Sequence, residues 1–87
     1  MHIILVYDIG QKRVAKALKL CRKYLHWIQN SVFEGELTQA QLRELEHNIH
    51  QLIEPEEDSV IIFKSRQALF LEKRIIGLEK SSLDNLL

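Results

Sequence analysis

Near the start of the chain, His2-Ile3-Ile4-Leu5-Val6-Tyr7 is apolar on both alternating sets of positions, rich in β-branched residues and too short for a helix. That pattern predicts a strand buried on both faces. The demand is severe for 87 residues, because a domain of this size buries only about 60% of its unfolded surface. One layer of helices can cover one face of the sheet. The economical cover for the other is a second copy of the same chain, so burial alone predicts a homodimer.

The rest of the chain supplies the helices and further strands. Asp8-Ile9-Gly10 ends the first strand, and from Gln11 to Leu25 the period becomes helical. Val14, Ala17, Leu18, Cys21 and Leu25 form an apolar stripe, while Lys12, Lys16, Lys19 and Lys23 form a basic one. Trp27 to Phe33 reads as a second strand closed by Glu34-Gly35, with Phe33 to Leu37 either its bent continuation or a hairpin arm. Thr38-Gln39-Ala40-Gln41 is a capping-box pattern that opens a second helix, with Leu42, Leu45, Ile49, Leu52 and Ile53 as its apolar stripe and Pro55 near its stop. An acidic turn, Glu54 to Asp58, precedes a strand at Ser59 to Phe63, and a short strand follows near Arg74-Ile75-Ile76. The order matches an α+β, ferredoxin-like βαββαβ domain over residues 1–77, with a weakly patterned tail over 78–87.

Composition excludes several classes. With 46% apolar residues, three Gly and one Pro, the chain is not disordered, collagen-like or a linker. One Cys excludes a disulfide framework or cysteine zinc cage and suggests a reducing, cytoplasmic setting. No apolar run reaches the ~18 residues of a membrane span, and no signal peptide is expected. The net charge is zero but unevenly spread: residues 1–35 carry six Lys/Arg against two Asp/Glu, and residues 36–58 carry one against seven. Such a chain can turn a basic face and an acidic face to different partners, or simply carry two solvated helix surfaces.

Asp8, a carboxylate at the end of a buried strand, either caps the following turn or serves a functional site. One carboxylate is a poor hard-cation site, but a two-fold axis near the strand end would pair it with its symmetry mate. Arg13 at the head of helix one opposes the helix dipole, which suits a phosphate contact, although a solvated arginine fits equally. Gln29, Asn30 and Ser31 are polar within an apolar strand, marking an exposed edge or a donor-lined site. His47 and His50 lie on a solvated acidic helix with no third ligand. Cys21 reads as a buried, inert thiol.

Tyr7-Asp8-Ile9, Arg13 heading a basic helix, Tyr24 to Gly35 with its Gln-x-Ser-Val-Phe-Glu-Gly segment, and Asp58-Ser59-Val60-Ile61-Ile62 together resemble the second of the two core CRISPR-associated families. The resemblance spans about residues 1–80. It implies a ferredoxin-like homodimer with sheets packed face to face, acting as the small subunit of spacer acquisition. It also implies metal-dependent nuclease activity on single-stranded RNA or double-stranded DNA, and bridging of integrase-subunit dimers. By the same resemblance Asp8 is the metal-binding carboxylate, with Tyr7, Arg13, Ser31 and Phe33 as its associated site residues. Some members carry a basic residue where this chain has Trp27.

Two mechanisms follow. In one, a single Mg²⁺ per dimer, shared by both Asp8 side chains, supports phosphodiester hydrolysis. In the other, Lys12, Arg13, Lys16, Lys19 and Lys23 of two copies converge across the axis into a basic track for duplex DNA, while the acidic segment meets a basic protein partner. The alternatives are a toxin-type ribonuclease on the same dimeric fold and a ferredoxin-like small-molecule regulatory module.

Overall fold

The computed structural model describes residues 1–66 and 72–78. Strand β1 (His2–Asp8) leads into helix α1 (Val14–Arg22). A hairpin of β2 (His26–Gln29) and β3 (Val32–Glu36) follows, then α2 (Gln39–Leu52), β4 (Ser59–Ser65) and β5 (Glu72–Gly77). The strands form one sheet in the order β2-β3-β1-β4-β5, every neighbouring pair antiparallel. The first four strands reproduce the ferredoxin-like arrangement expected from the sequence, and β5 adds an outer strand at the position read from Arg74-Ile75-Ile76. The tail over 79–87, and the part of the Leu69–Gly77 stretch before β5, lie outside the described residues.

Alternation along β1 separates the two faces. Ile3, Leu5 and Tyr7 are buried beneath the helices, where they meet Ala17, Cys21 and Leu25 around α1, Leu42, Leu45 and Ile49 of α2, and Phe33, Val60, Ile62 and Ile76 of the sheet. Val14 and Leu18, read as part of the same helix stripe, are half-buried against this core. The Thr38 hydroxyl accepts from the Gln41 N–H and the Gln41 side chain accepts from the Thr38 N–H, so the capping box forms as expected.

The opposite face carries no helix. Cross-strand register places Ile4 beside Phe63 and Val6 between Val32 and Ile61, with Ile75 beyond Ile61. Ile4, Val6, Val32, Phe63 and Ile75 are half-buried, so the double-sided apolar pattern of β1 is real but only one side of it is fully covered by this chain. His2 closes the start of this face through contacts of 3.4 Å to Glu34 and 3.3 Å to Glu36. Asp8 stands exposed at the far end.

The hairpin departs from the sequence reading. Its turn falls at Asn30-Ser31, not at Glu34-Gly35. Asn30 takes a φ of 46°, a left-handed conformation that Asn tolerates better than other non-glycine residues, and the Trp27 indole N–H donates to the Asn30 carbonyl at 2.7 Å. Gly35 instead lies within β3 opposite Ile3, where a Cβ would meet the Leu25 side chain at 3.2 Å. It admits the end of the α1 segment onto the sheet.

Gly77, the last residue of β5, has a φ of 92°, and a Cβ there would collide with the Asp58 carbonyl oxygen. Gly77→Ala is therefore expected to cost about 2 kcal/mol or more from the left-handed conformation and the clash together. For a domain this small that lowers the thermal midpoint by roughly 10 °C, readable by circular dichroism; an unchanged midpoint would mean this strand end relaxes freely.

Candidate active site and nucleic-acid interface

The end of the sheet that carries Asp8 also gathers Ser31 and Ser59. The Tyr7 N–H donates to the Ser31 carbonyl at 3.1 Å, continuing the β1–β3 ladder into the turn, and Asp8 pairs with Ser59 across β4. Tyr7, Asp8 and Ser31 are thus brought together. They do not share a face. Asp8 is exposed on the open side, while Tyr7 points under the helices, 7% exposed, its ring 5.7 Å from that of Phe33. Burial, with a smaller effect from neighbouring Cys21, holds the Tyr7 phenol above its ordinary value. Phe33 has no exposed surface. Both rings, expected at the site itself, support the strand end from beneath, and neither offers a group to a phosphate at the surface. Burial also pushes the Cys21 thiol up to about 12, in keeping with an inert core residue.

Arg13 has a partner that sequence reasoning missed. Its Nε donates to Asp58 Oδ2 at 2.6 Å and its Nη2 to Asp58 Oδ1 at 3.0 Å, a two-pronged contact, and Nη2 also donates to Glu57 at 2.9 Å. Asp58 is completely buried and accepts two further hydrogen bonds, from the N–H of Gly10 and the N–H of Glu54, both at 2.8 Å. The Asp58 carbonyl accepts from the Leu78 N–H at 2.8 Å. One side chain therefore ties together the β1–α1 loop, the α2–β4 turn and the start of α1, while its backbone holds the end of β5. The signal available in the sequence was an acid directly ahead of the apolar β4 run, read only as part of an acidic turn. Of that turn, Glu54, Glu56 and Glu57 remain exposed.

The Arg13 guanidinium holds the Asp58 carboxyl well below the usual carboxylate range; burial opposes this and the two N–H donors add to it. Asp58 holds the Arg13 guanidinium above its ordinary value in turn. The geometry commits Arg13 to a carboxylate of its own chain.

The lysine row is built differently. At about 100° per residue, Lys12, Lys16, Lys19 and Lys23 centre on the side of α1 opposite the apolar stripe, and all four are exposed. They face away from the sheet, so they and Asp8 lie on opposite sides of the protomer. No group of three or more His, Cys, Asp or Glu side chains capable of holding a metal occurs among the described residues. Among the same residues no helix is long and apolar enough to cross a membrane.

A lowered folded-state value makes Asp58 stabilising above its unfolded value near 4. That stabilisation is lost as the pH falls below about 4 toward the folded value. Asp58→Asn is expected to lose roughly 2 kcal/mol at neutral pH and to flatten the acid limb of a stability-versus-pH curve measured by urea unfolding. An acid limb as steep as that of the parent would place the titration elsewhere.

Known proteins agree with this architecture. The family described as CRISPR associated protein Cas2 matches residues 1–72. A protein of Dictyoglomus turgidum named CRISPR-associated endoribonuclease Cas2 is 46% identical over 87 residues, covering all of both chains. Its namesake in Methanothermobacter thermautotrophicus is 45% identical over all of this chain and 96% of its own. A solved structure titled "Crystal structure of cas2" superposes with a TM-score of 0.75 at 44% identity, covering 94% of this chain and 92% of that one. Streptococcus pyogenes Cas2 at pH 6.5 gives 0.69 at 31% identity, over 75% and 86%. By sequence and by fold, the chain belongs to the Cas2 family of CRISPR-associated proteins.

Proposed function

We propose that this protein is the small subunit of CRISPR spacer acquisition, a homodimer that binds nucleic acid as a scaffold and has weak metal-dependent endonuclease activity. The observation that carries the reading is the two-sidedness of the protomer: an uncovered apolar sheet face ending in Asp8 on one side, and an exposed lysine row on the other. A second copy covers the apolar face most economically, by packing sheet against sheet. Family membership supports the acquisition role, and the names of the relatives support nuclease chemistry.

In such a dimer the lysine rows do not converge. With the open faces together, each row lies on its own outer helix layer and the Asp8 carboxylates lie between the layers. The single shared track expected from the sequence becomes two separate ones. Each would hold a sugar-phosphate backbone through charge without reading bases. Arg13, bound to Asp58, shapes the start of its row more than it extends it. The exposed Glu54, Glu56 and Glu57 suit a basic surface, such as one on the integrase subunit.

For hydrolysis, the donor chemistry fits a hard cation once two Asp8 carboxylates meet near the axis, and Mg²⁺ is the natural occupant. A bound divalent ion would activate water and neutralise charge on the phosphate. Asp8 would hold it, and Ser31, in the adjoining turn, would position phosphate or water. Water adds at phosphorus and one ester P–O bond breaks, leaving a phosphomonoester and a hydroxyl. Of the four histidines, His2 lies at the opposite end of β1, His26 pairs with Glu34 at the level of Ile4, and His47 and His50 lie on α2 across the sheet from the open face, so none shares both the face and the end that carry Asp8. Turnover should be slow.

Asp8→Asn is expected to abolish Mg²⁺-dependent cleavage of single-stranded RNA and duplex DNA while sedimentation still shows a dimer; surviving cleavage would exclude the shared-carboxylate site. Lys16→Glu combined with Lys19→Glu should weaken duplex binding and reduce the slope of log affinity against log salt by about 2, at roughly 0.9 per phosphate contact. Unchanged duplex binding would exclude the lysine row.

A further inference from the structure

Trp27 is the only tryptophan of the chain and is 49% exposed, on the short edge strand β2. An isolated exposed aromatic needs no explanation, but this one is held in place. Its indole N–H is fixed to the Asn30 carbonyl at 2.7 Å, and the Arg22 guanidinium lies 5.6 Å from the ring centroid. Arg22 is the last residue of α1 and is itself exposed, beside Lys23 and one turn from Lys19. The ring therefore stands at the C-terminal end of the lysine row, which runs along α1 from Lys12 in the turn before it to Lys23 just after it. A charged track ending in a fixed, half-open aromatic ring is the combination that binds single strands: charge follows the backbone, and an unpaired base stacks on the ring.

We infer that Trp27, held beside Arg22 at the end of the lysine row, is a stacking platform for an unpaired nucleobase, so that each outer track takes single-stranded segments as well as duplex. The inference rests on the nucleic-acid-binding function proposed above and adds to it the residue that would distinguish an unpaired strand from a duplex. Bases in a duplex are already stacked on their neighbours and leave the ring untouched. The Arg22 guanidinium can then bridge the ring and the strand's phosphates.

The lone tryptophan is its own reporter. At low, fixed salt, a short oligothymidylate should quench Trp27 emission in step with binding followed by the anisotropy of a labelled strand. Trp27→Leu, which keeps an apolar side chain but cannot stack, should weaken oligothymidylate binding roughly tenfold. Trp27→Phe should stay within about threefold, and both variants should bind duplex DNA as the parent does. Absent quenching at saturation, or a leucine variant that binds the single strand like the parent, overturns the stacking platform and leaves duplex binding standing. Equal losses for single strand and duplex in the leucine variant also overturn it, marking Trp27 as a support for the fold. Failure of the parent to bind either nucleic acid removes the proposed function and this inference together.

Discussion

The buried carboxylate of Asp58 is the contact on which this end of the molecule depends. A charged group without access to water is tolerated only when paired and fully hydrogen-bonded, and Asp58 meets that condition through Arg13, Gly10 and Glu54. These partners come from segments more than forty residues apart. The contact therefore works as long-range information: it sets where the chain leaves β1, how α1 begins, and how α2 hands over to β4. Asp8 lies two residues before Gly10, so the position of the exposed carboxylate is inherited from the buried one.

A second constraint is geometric. A single antiparallel sheet with helices on one side must leave the other side bare. Here the bare side has an apolar centre at Ile4, Val6, Val32, Ile61, Phe63 and Ile75, with His2, Glu34 and Glu36 toward one end and Asp8 at the other. The two surfaces suited to chemistry and to charge are thereby separated by the thickness of the sheet. Under the function proposed above, that separation would keep the scaffold and hydrolytic roles physically independent, so that either could weaken without loss of the other.

Much of this was legible in the residues. The dual-parity apolar run of β1, the helix stripes, the Thr38 capping box and the late strand at Arg74 to Ile76 follow from periodicity and local hydrogen bonding, which depend on near neighbours. The hairpin turn was misplaced because Glu34-Gly35 has the look of a turn, whereas Gly35 answers a demand for space against Leu25 that only the folded packing creates. Arg13 and Asp58 were each noticed, but their pairing spans 45 residues and leaves no local trace. Tyr7 and Phe33 belong to the motif that carries the family resemblance, and both are core residues whose burial comes from packing that the motif itself does not display.

The edge strand β2 has a final consequence. Its pairing with β3 shifts register between Trp27 and Gln29, leaving Ile28 as an extra residue, and only four residues later the chain has turned back. A short, bulged margin of this kind is a poor template for another strand. On that flank the molecule resists the sheet-to-sheet accretion that threatens small β-rich proteins at high concentration, and it does so although two large apolar side chains, Trp27 and Ile28, stand there in water.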